Sequence, residues 1–102
     1  MGAFDFSTLI CYSFEVDSSK PIRLSRHAGE QLWARGATEE EIIETIRTAE
    51  WKPAELNRVE CRKEWVYDQL WNGKSYHIKQ VRPIFVEERQ EIVVVTVYVY
   101  YH

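Results

Sequence analysis

His27 and Arg35 are the first residues whose types and spacing suggest chemistry. An imidazole titrates near pKa ~6.5, so it accepts or donates a proton at neutral pH. Arg23 and Arg26 flank it in sequence, and nearby cations favour the neutral, basic form. The competing reading is a histidine that packs or caps a loop. On a helix, at ~1.5 Å rise per residue, Arg35 lies about two turns further along the face that carries His27. Over that span a base and a guanidinium flank one phosphate or two successive phosphates, but they do not meet at one atom. Arginine grips phosphate oxygens bidentately and stabilises charge that grows in a phosphoryl transition state. A plainer role for Arg35 is to offset the helix dipole at a C-terminus.

A second group lies towards the C-terminus: Tyr67, Tyr76, His77, Lys79, Arg82, Tyr98, Tyr100, Tyr101 and His102. Cations interleaved with rings suit RNA, because rings stack on unpaired bases and cations hold phosphates. Tyrosines at alternate strand positions also arise simply as sheet surface or core. No histidine or carboxylate cluster has metal-ligand spacing, so no metal and no other cofactor is expected. None of the glycines forms a G-x-G-x-x-G phosphate loop. Cys11 and Cys61 form no C-x-x-C pair and read as free thiols buried as small hydrophobes.

Helices and strands must position these groups. Ser25 is a good N-cap, Leu24, Ala28 and Leu32 follow at helical spacing, and Gly36 suits the residue after a helix end. Thr38 and Glu41 form the capping box of a second helix. Ile42, Ile43, Ile46 and Ala49 are its apolar stripe, and Pro53 stops it. From about Glu60 the pattern alternates. Trp65 to Trp71 lead into Asn72-Gly73, a two-residue hairpin signal of type I′. Ser75 to Val86 return, with Pro83 marking an edge or a bulge. Ile92 to Tyr101 is apolar on both faces and reads as a central strand, covered on one side by the helices. The expected class is α+β: two N-terminal helices packed on a three- to four-stranded antiparallel sheet. Residues 8–16 suit a short edge strand and residues 17–21 a loop.

The 102 residues fit one domain, 1–102. With 45% hydrophobic and 14% aromatic residues, a disordered or low-complexity chain is excluded. The net charge of -3 argues against a strongly basic, nonspecific nucleic-acid binder. The charge is uneven, however. Lys20, Arg23, Arg26 and Arg35 against Glu30 leave residues 18–36 at +3, and residues 57–82, with six cations against three anions, also stand at +3. Between them, residues 38–55 stand at -4, with six glutamates against Arg47 and Lys52. If the two basic segments share a face, an anionic ligand follows. No apolar run approaches the ~20 residues that span a bilayer, so no membrane partner is expected. Nor does a basic segment followed by an apolar one open the chain, so a cytoplasmic, reducing setting is expected.

Three segments together resemble a small bacterial domain family: Ile22 to Ala28 (IRLSRHA), Arg35 to Ile42 (RGATEEEI), and Val93 to Tyr98 (VVVTVY). The family pattern is S-x-H-A-x-x-R, then R-G, a capped second helix, and a V-x-T-V-Y closing strand, and it is similar to toxins of the RelE/ParE type. The resemblance spans residues 22 to 98. It implies a small metal-independent ribonuclease with a RelE-like core over 20–102, residues 1–19 being an N-terminal extension or edge strand. It places the family histidine at His27, the arginine before glycine at Arg35, and the closing threonine and tyrosine at Thr96 and Tyr98. One position departs: the arginine expected four residues after the histidine is Gln31, which removes a cation. The acidic second helix is also unlike a basic toxin.

Two readings result. In the first the protein is an endoribonuclease of a toxin–antitoxin pair. RNA cleavage without metal needs a base for the 2′-hydroxyl, a cation for the phosphorane and an acid for the leaving oxygen. His27 is the base or acid, Arg35 the phosphate clamp, and Tyr98 or Lys79 an auxiliary group. Arg23, Arg26, Lys63, Lys79 and Arg82 bind RNA, and an antitoxin covers the basic face. In the second the chain is a noncatalytic interaction module that binds a partner, or a second copy as a homodimer, by strand addition along residues 92–101. The readings differ in space: the first requires His27, Arg35 and a sheet cation to converge on one open cleft.

Overall fold

Capping decides where the helices begin. In the computed structural model, which describes residues 20–102, Ser25 accepts from the Ala28 amide at 3.1 Å and opens α1 (Arg26–Arg35). Gly36, at φ 76°, closes it in the left-handed conformation that glycine adopts without steric cost. Thr38 and Glu41 make the reciprocal capping box of α2 (Glu39–Thr48), with three glutamates in the first turn, where the dipole favours anions. The helix stops at Thr48, ahead of Pro53.

The strands are β1 (Ile22–Leu24), β2 (Lys52–Ala54), β3 (Arg58–Glu60), β4 (Lys63–Trp71), β5 (Lys74–Glu87) and β6 (Ile92–Tyr101). They form one sheet in the order β1-β6-β5-β3-β2, and β4 lies beside β5 on the side of β3. Here the expected architecture is corrected. The sheet has six strands among the described residues and is mixed, because β1 runs parallel to β6; 51% of those residues are strand and 24% helix. The reason is visible in β1. Leu24 has helical spacing to Ala28 and Leu32, yet it pairs with Val94 at the end of β1, and the chain turns helical only after Ser25. The strands β2 and β3 have three residues each, too short for an alternating pattern, and β2 contains Pro53. The expected edge strand over residues 8–16 lies outside the described residues, as does Cys11.

The long hairpin follows its local signals. Asn72 and Gly73 take positive φ values of 52° and 82°, as a type I′ turn requires. Pro83 is buried in the middle of β5, where the neighbour changes from β4 to β3. Its carbonyl accepts from the Cys61 amide at 3.4 Å, and a bulge follows between Ile84 and Phe85. A proline is tolerated at such a break in the ladder.

Both helices pack on one face. Ile42 and Ile46 of α2 and Ala28 of α1 join Val81, Phe85, Val94 and Val97 in the buried core, and the Trp51 ring closes edge-on over Phe85 at 4.9 Å. Cys61 belongs to this core. Burial, with a smaller contribution from Glu60, pushes its thiol up to about 12, so it is a packing residue rather than a nucleophile. No helix of the described residues is long and apolar enough to cross a membrane.

Candidate functional site

Strand parity puts Lys79, Val81, Val97, Val99 and Tyr101 on the face under the helices, and Arg82, Ile84, Thr96, Tyr98 and Tyr100 on the other. Arg82 stands directly across from Tyr98. Its guanidinium carbon lies 5.4 Å from the centre of the Tyr98 ring. Arg35 starts from the opposite side. From the last turn of α1 it reaches the free flank of β6, donates to the Val97 carbonyl at 2.7 Å, and brings its own guanidinium carbon to 5.2 Å from the same ring. Two cations from distant parts of the chain thus meet at one phenol.

Arg82 is aimed by two partners. Its Nε donates to Glu60 Oε1, and Nη1 reaches the Tyr100 hydroxyl at 3.4 Å. The hydrogen bond from Arg82 holds the Glu60 carboxyl below its ordinary 4.5, against the opposing effect of burial. A carboxyl with a depressed native pKa stabilises the fold above its ordinary range and loses that contribution as pH falls through the native value. Melting temperature is therefore expected to fall on acidification below about 4.5, and Glu60→Gln to flatten the decline. An acid limb identical in the variant would remove this pair as a source of pH dependence.

The flank of β6 beyond β1 is sealed by α1. Ser25 reaches the Val95 carbonyl at 3.5 Å, Gln31 Oε1 accepts from the Val97 amide at 2.8 Å, and Arg35 binds the Val97 carbonyl. Gln31 thus does what an arginine cannot, since a guanidinium has no acceptor. Gln31→Arg, which would restore the cation of the resemblance, is expected to cost about 1–3 kcal/mol by leaving the Val97 amide unpaired. Urea unfolding of Gln31→Arg beside Gln31→Glu, which keeps an acceptor, checks this.

The C-terminal end of α1, which carries Arg35, is anchored from the sheet. The Tyr101 hydroxyl donates to the Arg35 carbonyl at 2.8 Å, and burial above all pushes that phenol up to about 12, so it stays a donor. Lys79, 5% exposed, donates to the Gly36 carbonyl at 2.6 Å and pairs with Glu41 at 3.0 Å. The Trp71 ring stacks on Tyr101 at 5.1 Å.

Of the residues singled out in the sequence, Arg35, Tyr98 and Arg82 come together. Lys79 does not join them; it is a buried clip on the helix side. His27 is exposed on α1, roughly 12 Å along the axis from Arg35, with no hydrogen bond or ion pair among the described residues. Arg23 forks onto Glu91 at 3.1 Å, Arg26 faces Glu30 at 3.5 Å, and Lys63 holds Glu44 at 2.7 Å on the helix side. The basic segments do not form one face. Thr96 and Tyr98 line a groove of about 620 Å³ together with Arg58, Glu60, Arg82 and Ile84. Glu60 and Arg58 were missed in the sequence; the signal that could have found them is the turn Glu55 to Arg58, with Asn57 suited to a left-handed conformation. No group of His, Cys, Asp and Glu among the described residues could hold a metal ion. The chain matches no family model, no curated protein and no solved structure.

Proposed function

We propose that the protein binds RNA on the sheet face away from the helices and cleaves it without metal at the Arg35–Tyr98–Arg82 cluster, as a toxin of a toxin–antitoxin pair. The observation that carries this is the convergence of two guanidinium groups on one tyrosine, at 5.2 and 5.4 Å. Such a pair grips the oxygens of one phosphate and stabilises the charge of a phosphorane. The 2′-hydroxyl oxygen bonds to phosphorus and its proton passes to a base. The bond from phosphorus to the 5′-oxygen breaks, and that oxygen takes a proton. The products are a 2′,3′-cyclic phosphate and a 5′-hydroxyl. Glu60 lines the same groove and is the proton acceptor at hand, and the Tyr98 hydroxyl the donor. His27 is too distant for the same phosphorus and suits a phosphate further along the strand.

The partner that follows is an antitoxin whose acidic segment covers the Tyr98 face. Strand addition along 92–101 has less support, because β6 lies between β1 and β5 and α1 side chains occupy its flank as far as Val97. RNA incubated with the protein and a chelator is expected to yield fragments ending in 2′,3′-cyclic phosphate, and Arg82→Ala to lower the rate by roughly 100-fold. RNA left intact by the folded wild type overturns the reading.

A further inference from the structure

Beside the cluster, the turn between β2 and β3 offers a charge pattern that the fold itself does not use. Leu56 and Asn57 take left-handed φ values of 61° and 59°, and the Arg58 amide closes the turn on the Glu55 carbonyl at 3.2 Å. Glu55 and Arg58 therefore stand at the two ends of one tight turn, and both line the groove that Arg82 and Tyr98 also line. Neither side chain has a hydrogen bond or ion pair among the described residues. An acceptor and a donor, each unpaired, face one cavity of about 620 Å³ with apolar surface from Pro53 and Ile84. That volume suits a small ligand, and one aromatic wall beside apolar surface suits a flat ring.

We infer that this groove selects an unpaired guanine in the bound RNA strand, through Glu55 and Arg58; the inference rests on the RNA reading above. Guanine carries two adjacent donors, N1–H and the 2-amino group, which match the two oxygens of a carboxylate. It also carries O6 and N7, acceptors that an arginine fork grips. Adenine sets an acceptor, N1, beside its amino group, which repels a carboxylate. Uracil has one N–H between two carbonyls. The base lies in the groove against Tyr98, and its phosphate passes to Arg82, which borders the groove. The base must be unpaired, since in a duplex N1–H and the 2-amino group, which the carboxylate needs, are already bonded to cytosine.

The test is fluorescence anisotropy with short 2′-O-methyl oligouridines, which cannot be cleaved because the attacking hydroxyl is blocked. One is uridine only, one carries a central guanosine, one a central adenosine. The wild type is expected to bind the guanosine oligomer roughly tenfold more tightly than the other two. Glu55→Ala and Arg58→Ala are expected to lose that preference. Equal affinity of the wild type for all three oligomers overturns the guanine site and leaves the RNA reading standing. A preference that survives in Glu55→Ala also overturns it. Absence of binding to any oligomer overturns both.

Discussion

Gly36→Ala is expected to destabilise the protein by about 2–4 kcal/mol, combining a left-handed backbone penalty with overpacking. Gly36 sits at φ 76°, where an L side chain crowds its own backbone. A Cβ built there would stand 2.5 Å from Trp71 Cζ3 and 2.8 Å from the Tyr101 hydroxyl oxygen. Both rings would have to move. The Tyr101 hydroxyl holds the Arg35 carbonyl, so the disturbance reaches the end of α1 that carries Arg35. Gly73→Ala is the control. Gly73 has φ 82°, but a Cβ there meets nothing within 4 Å, so only the backbone penalty of roughly 1–2 kcal/mol applies. Urea unfolding of the two variants side by side measures the difference. Equal losses would mean that the rings do not close over Gly36.

What the sequence made legible was local. Ser25, Gly36, the Thr38–Glu41 box and Asn72-Gly73 each act within a few residues, and each takes its expected conformation. Ile92 to Tyr101 was legible because a strand covered on one face and flanked on both edges tolerates apolar residues throughout. What stayed hidden was non-local. The parallel pairing of Ile22–Leu24 with Ile92–Val94 joins segments about 70 residues apart, and three residues carry no period. Leu24 even points to the wrong element, since its spacing to Ala28 is helical by coincidence with the strand end. The candidate site divides in the same way. Arg35, Arg82 and Tyr98 stand out singly as types. That they meet depends on β5–β6 register and on an arginine passing the flank of β6, which no spacing in the sequence encodes. Lys79 misleads for the complementary reason: three residues from Arg82, it falls on the opposite face and is buried.

Arg35 serves both the fold and the proposed chemistry, and substitutions separate the two. Arg35→Ala removes the donor to the Val97 carbonyl and is expected to cost about 1–2 kcal/mol, with RNA cleavage lowered by roughly 100- to 1000-fold. Arg35→Lys keeps a donor and a charge, so stability should return. An ammonium does not fork onto phosphate or stack on a ring as a guanidinium does, so cleavage should remain down by about tenfold or more. Arg82→Lys should behave alike, since its guanidinium lies at the same ring. The sharper measurement is the double variant. If both guanidinium groups hold one phosphate, either substitution already loosens the grip of the other, and the rate loss in the double falls short of the product of the single losses. Single losses that multiply in full would place the two arginines on separate phosphates, and the phenol between them would then be packing rather than part of a clamp.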